Sequence, residues 1–258
     1  MLSVPPILRS AVAGAPRLFS RLYAIDHLLN HVPPPARVME IGPGLGDLSA
    51  HLLQRYLHAQ LTLAEISVNA VAGLQKRFHH ERRVTISHEN FLLGNQGCRS
   101  FDLVIACEVF EHIEDDAAAF DAVAALMEPG GYFLFSAPCH MKKWQTSDVL
   151  VGHYRRYERP DLIEKFESAG FAIDELWTFG FPSVDLIQPI REVYYRIRKR
   201  RSTTDRQAAT EGSGIDRPRA MRYAKWAVLA ALLPLLRIES LFWRKELGDG
   251  FLALAQKR

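Results

Sequence analysis

The sequence predicts an α/β fold: a doubly wound, seven-stranded, mostly parallel sheet with a helical insertion before its last strand. Three observations predict it. Short apolar runs alternate with helical stretches between residues 36 and 178, the pattern of a parallel sheet covered on both faces. A glycine-rich turn, Gly42–Gly46, joins the first apolar run to the helix after it. A final strand-like run, Phe251–Arg258, follows a stretch of different character.

The elements follow in order. Leu18, Leu22, Ile25, Leu28 and Leu29 make a helical stripe, so a helix is expected over about 17–31, stopped by Pro33-Pro34-Pro35. Strands are expected at 36–41, 60–65, 83–87, 101–107, 132–137, 171–178 and 251–258. Helices are expected at about 46–58, 67–80, 114–127 and 160–169, the last ended by Gly170. Glu128-Pro129-Gly130-Gly131 reads as a turn. Right-handed crossovers between such units give the doubly wound arrangement. Residues 1–35 form an N-terminal helical segment, 36–178 with 248–258 the main domain, and 179–247 the insertion.

The 258 residues suffice to bury a core, and 48% hydrophobic with 24% charged residues is ordinary for a globular chain. A net charge of +3 calls for no nucleic-acid partner. Cys98, Cys107 and Cys139 are scattered, with no CxxC pair, which points to a reducing compartment. The longest apolar run, Trp226–Leu236, is too short for a membrane span and contains Pro234. The first 25 residues hold Arg9, Arg17 and Arg21 and no acid. The expected localisation is cytoplasmic, with a mitochondrial matrix protein as the alternative.

The strongest chemical signal is Glu40-Ile41-Gly42-Pro43-Gly44-Leu45-Gly46. Glycines there let a ligand approach the backbone at the carboxyl end of a strand. A dinucleotide fold wants G-x-G-x-x-G, and Asp47 or Ser49 falls where its last glycine belongs. Glu65 ends the second strand, where a carboxylate can accept from both hydroxyls of a ribose. Asn90-Phe91 follows the third strand, and FDLVIACEVFEHI (101–113) carries the fourth.

Taken together, E-x-G-x-G-x-G, the acid at Glu65, the FDxVxxxxVxEH pattern, Glu128-Pro129-Gly130-Gly131 and LIEKFESAGF (162–171) resemble the class I methyltransferases. The resemblance covers about 17–178 and the terminal strand. It implies S-adenosylmethionine as cofactor, held by Glu40, Gly42, Gly44, Gly46, Glu65, Ile66, Asn90, Phe91, Cys107 and Glu108. The family more often has Asp at the position of Asn90. Base-methylating relatives carry Asn/Asp-Pro-Pro-Tyr after the fourth strand, and this chain has Cys107-Glu108-Val109-Phe110. The chain therefore resembles the branch acting on quinone precursors, sugars and natural products, with methyl transfer to an oxygen of a small apolar or lipid-linked acceptor. A nucleic-acid methyltransferase and a non-catalytic cofactor-binding module are the alternatives.

Methyl transfer from a sulfonium needs alignment and, for a hydroxyl acceptor, a base. His140, His112 and His153 are the catalytic candidates, and His140, following Pro138-Cys139 at the end of the fifth strand, leads. No ligand spacing supports a His112–His140–His153 metal set, and no metal is expected. Tyr154-Arg155-Arg156-Tyr157 is expected to close over the cofactor, to bind an anionic group, or to lie solvated.

In the insertion, Leu186, Ile190, Val193 and Ile197 recur at helical spacing beside Arg196, Arg198, Lys199, Arg200 and Arg201. Residues 202–218 are polar and read as a mobile loop. WAVLAALLPLL (226–236) is apolar all round and is flanked by Lys225, Arg237, Phe242, Trp243 and Arg244. This fits either a helix in the membrane interface, giving peripheral association through 185–245, or a lid over an apolar pocket. Nothing in the sequence sets the oligomeric state.

Overall fold

The computed structural model describes residues 4–12, 15–92, 100–189, 192–193, 197 and 225–258. Seven strands form one sheet in the order β3-β2-β1-β4-β5-β7-β6. They are β1 (Arg37–Ile41), β2 (Gln60–Ala64), β3 (Val84–Ser87), β4 (Phe101–Cys107), β5 (Met127–Pro138), β6 (Phe171–Phe179) and β7 (Gly250–Lys257). Strands β1 to β5 pair in parallel, and β7 runs antiparallel between β5 and β6. The expected mostly parallel, doubly wound sheet is therefore present, with its last strand reversed.

Strand side chains alternate between two apolar layers, as a period of two requires. Val38, Leu63, Leu103, Ile105, Leu134 and Leu252 face one layer with helices α2 (Pro16–Leu28) and α3 (Asp47–Arg55). Met39, Ile41, Val104, Phe133, Phe135 and Phe251 face the other, against α5 (Asp116–Leu126) and α7 (Arg159–Ser168). Helices α1 (Pro6–Ser10), α4 (Val68–Phe78), α6 (Thr146–Leu150) and α8 (Lys225–Glu239) are also present among the described residues. Every member of the stripe Leu18, Leu22, Ile25, Leu28 and Leu29 is buried, which docks α2 on the sheet.

Three local expectations change. The turn 128–131 is absorbed into β5, where Gly130 turns at φ +83° and a side chain on Gly131 would meet the Phe101 carbonyl at 3.1 Å. Helices α1 and α6, only 5 residues each, carry too little periodicity to be read. The run 226–236 is not apolar-exposed all round: Leu229, Leu232, Leu233 and Leu236, at i, i+3, i+4 and i+7, are buried in the core beside α2. Trp243 is also buried, stacked on Trp177 with centroids 4.8 Å apart. Residues 202–218, Ile190, Arg196, Arg198, Lys199, Arg200 and Arg201 lie outside the described residues. Among the described residues no helix is long and apolar enough to cross a membrane.

The chain runs outward from β1 through β2 to β3, then crosses back to β4 on the other side of β1. The carboxyl ends of β1 and β4 therefore diverge at a topological switch point, where open α/β sheets bind ligands.

Candidate cofactor and acceptor site

A cavity of about 560 Å³ opens at that switch point. Its first wall is the turn after β1. Gly42, Gly44 and Gly46 all have positive φ, +66°, +56° and +72°. Their surroundings differ. A Cβ on Gly44 would meet nothing within 4 Å, so this position faces open space. A Cβ on Gly46 would lie 2.7 Å from Phe78 and 2.9 Å from Leu74, so Gly46 lets α4 pack and does not line the cavity. The turn is tied down by bonds from Gly42 N to the Ala64 carbonyl (2.9 Å) and from Gly46 N to the Pro43 carbonyl (2.9 Å).

Glu65 follows β2 and is buried. It accepts from Gly44 N (3.1 Å) and Ser67 N (2.9 Å), so one carboxylate braces the glycine turn and the next helix start. Glu40 is buried at the end of β1 and accepts from the Ser49 hydroxyl at 2.5 Å. Burial pushes its carboxyl up to about 7, against the opposing pull of Ser49. Ile66, Asn90, Phe91 and Cys107 complete this wall, and Glu108 stands where it meets the second. The Asn90 side-chain oxygen accepts from Leu92 N (3.0 Å). Burial pushes the Cys107 thiol up to about 12, so it is no thiolate nucleophile near neutral pH.

The second wall is charged. Glu108 sits at φ +61°, a costly conformation for a non-glycine residue and one that clusters at functional sites. Its carboxylate pairs with Arg17, lies 3.4 Å from Arg21 and accepts from Ser136 (3.2 Å). Burial raises its pKa, and Arg17 and Arg21 more than reverse this, leaving it below the usual carboxylate range. Glu111 is fully buried, and among the described residues neither oxygen accepts a hydrogen bond. Burial first, then the Glu108 charge, raises its pKa well above normal. His112 and His153 meet edge to face at 4.7 Å, and Nε2 of His153 lies 3.8 Å from Glu111 Oε1. Burial and then His153 lower His112 to about 3, so it is neutral at ordinary pH.

Behind them runs a buried ion-pair network. Asp148 accepts from His153 Nδ1 (2.8 Å) and from Arg156 (2.9 Å). Arg156 continues to Asp249 (3.1 Å), which also accepts from Arg17 (2.7 Å). Counted by side chain, Glu40, Asp47, Glu65, Glu89, Glu108, Glu111, Asp148 and Asp249 line the cavity against Arg17, Arg21 and Arg156. The space therefore favours a cationic occupant.

Two expectations move. His140 does not line the cavity. Its backbone extends the β5 edge through a bridge between Cys139 and Tyr157, and its ring turns to Glu158 (3.1 Å) and Glu246 (3.6 Å). His112 and His153 remain at the site. The Tyr154–Tyr157 segment is neither solvated nor free to clamp an anion. Arg155 pairs with Asp116 (2.5 Å), Arg156 with Asp148 and Asp249, and the Tyr157 hydroxyl donates to Asp116 (2.7 Å). The sequence reading missed Arg17, Arg21, Glu111, Asp148 and Asp249 as site residues. Glu111 alone had a signal, in the EH pair of the fourth motif.

A family model described as a methyltransferase domain matches residues 17–176, from the start of α2 to β6. The chain belongs to this methyltransferase family. Its fold is that of the class I enzymes, and its cofactor is S-adenosylmethionine. The ligand's cationic sulfonium and ammonium suit the acidic lining, and the open face of Gly44 leaves room for close approach. Glu40 and Glu65 are buried carboxylates on the wall beside the glycine turn.

Among similar proteins, the ubiquinone biosynthesis O-methyltransferase of Xylella fastidiosa (strain 9a5c) is 33% identical over 116 residues, 43% of this chain and 46% of that one. The chain thus spans about half the length of the curated relatives it matches. The crystal structure of the cyclase SpnF aligns with TM-score 0.59 and 14% identity, over 92% of this chain and 80% of that one. A Haemonchus contortus phosphoethanolamine N-methyltransferase 2 aligns with TM-score 0.58 and 19% identity, over 90% and 52%. These structures share the fold alone.

Proposed function

We propose that this methyltransferase acts on an oxygen of a small apolar or lipid-linked acceptor. The observation that carries the reading is the polar cluster Glu111, His112 and His153 beside the glycine cradle, in a cavity also lined by Leu18, Leu22, Ile25 and Val151. An apolar acceptor body suits those walls. The polar cluster suits a hydroxyl that must lose its proton. The oxygen lone pair forms the new O–C bond as the S–C bond breaks, its electron pair returns to sulfur, and the hydroxyl proton leaves to solvent or a nearby base. Relatives named as ubiquinone biosynthesis O-methyltransferases support this choice of atom. The test uses labelled S-adenosylmethionine with extracts split into lipid, polar and nucleic-acid fractions. Label should enter the lipid fraction as a base-stable, ether-type methyl; entry only into nucleic acid, or only onto nitrogen, would remove the reading.

We also propose peripheral binding to the inner face of an anionic membrane through 185–245. Supporting it, Leu186, Val193, Ile197, Trp226, Ile238 and Leu241 are all exposed. Among the described residues, the burial of Leu229, Leu232, Leu233, Leu236 and Trp243 narrows the large exposed apolar side chains of this segment to these six. The protein should float with vesicles containing acidic lipid and release as salt rises. Failure to float at low salt leaves only the lid.

A further inference from the structure

We propose that Glu111, His112 and His153 form a binding site for a divalent first-row metal cation on the acceptor side of the cavity. One ligand atom from each residue can be chosen so that all lie within 4.8 Å of one another. Two imidazoles with one carboxylate is a donor set suited to such cations, and three protein ligands leave a position for a further ligand.

Two independent observations point to a ligand. Glu111 is fully buried, yet among the described residues neither of its oxygens accepts a hydrogen bond. A buried, unbonded carboxylate is costly, and coordinating a cation is one of the ways proteins meet that cost. The second is the support behind His153. Asp148 is held by three contacts from Arg156, at 3.1, 3.1 and 2.9 Å, which keeps it an acceptor. His153 Nδ1, 2.8 Å away, is engaged by that carboxylate, which turns Nε2 toward Glu111. A histidine oriented by a carboxylate in this way is the usual outer support of a metal ligand. The 3₁₀ turn Phe110–His112 presents the other two residues consecutively, and the Tyr154 amide bonds the Glu111 carbonyl (2.8 Å), locking the two segments together.

The use of the site rests on the oxygen-acceptor reading above. A hydroxyl entering the open position would lose its proton more readily, because a divalent cation stabilises the oxyanion. That removes the need for His140 as a base.

The test is made on the full chain loaded with S-adenosylmethionine, titrated with Zn²⁺ by calorimetry and with Mn²⁺ by electron paramagnetic resonance. One saturable site is expected. Glu111→Gln and His153→Ala should abolish it, and Asp148→Asn should weaken it by about 10- to 100-fold. The loss of cation binding should exceed any loss of cofactor affinity in all three. Glu111→Gln replaces a buried carboxyl with a neutral amide of the same shape, so its metal-free melting temperature should not fall, while the rise that cation gives the wild type should vanish. No saturable binding by the wild type, or wild-type affinity in Glu111→Gln and His153→Ala, overturns the site. Cation binding with transfer only to nitrogen or carbon would keep the site and sink the oxygen reading; oxygen methylation with no cation bound would do the reverse.

Discussion

The two walls of the cavity are built on different principles. The cofactor wall is made of neighbours in sequence: Gly42 to Gly46, then Glu65 against Gly44, with backbone amides doing most of the bonding. The acceptor wall joins Arg17, Glu108, Asp148, Arg156 and Asp249, residues 232 positions apart at the extremes, through buried ion pairs. A backbone wall tolerates little change in chain conformation but asks little of side chains. A wall of buried charges is the opposite, since each group depends on its partner. Cofactor binding and turnover should therefore separate cleanly under mutation.

The largest effect is expected on the acceptor wall. His153→Ala should lower turnover by about 100- to 10,000-fold at saturating cofactor, the range for a group that activates a proton in flight. S-adenosylmethionine affinity by calorimetry should change less than about threefold, well under the 1.4 kcal/mol of a tenfold effect. Equal losses in both would mean the walls are one unit.

The glycine turn sharpens the contrast within one wall. Gly44→Val forces a β-branched residue into a left-handed conformation, a cost of about 1–2 kcal/mol, and fills the open face where the cofactor must approach. Cofactor affinity should fall by at least about 10-fold. Gly46→Ala should act on packing instead, because its Cβ meets Phe78 and Leu74. Its melting temperature should drop with a smaller change in affinity; the reverse ranking would break the distinction.

How much of this was legible follows the same division. The cradle was readable because its requirement is local: a strand, three glycines two apart, and an acid after the next strand. The core stripe of α2 was readable from spacing alone. The partners of His153 were not, since Asp148 and Arg156 meet only after α6 folds back, and Asp249 arrives from β7's start on the far side of the insertion. His140 was misplaced because nothing in Pro138-Cys139 announces the bridge to Tyr157 that carries it away from the cavity. Leu229, Leu232, Leu233 and Leu236 show a related failure. Their core spacing was visible, but the small apolar residues between them made the run look uniform.

The smallest predicted effect is a pH dependence on the cofactor wall. Burial pushes Glu40 up to about 7 in the folded chain, above the ordinary value of 4.5. A carboxyl whose folded pKa is raised is bound more tightly to its proton in the native state. Its contribution to stability is therefore full below about pH 4.5 and is lost as pH rises through about 7. Without cofactor, the melting temperature of the wild type should decline over that window relative to Glu40→Gln, which has no proton to lose. Cofactor binding should run the other way. A ligand carrying an ammonium favours the carboxylate, so affinity should rise with pH and approach a plateau above 7, falling by about tenfold near one unit below it. In Glu40→Gln that slope should flatten. If cofactor affinity in both proteins is level between pH 6 and 8, Glu40 does not face the cationic end of the ligand, and its burial serves only the Ser49 hydrogen bond that starts α3.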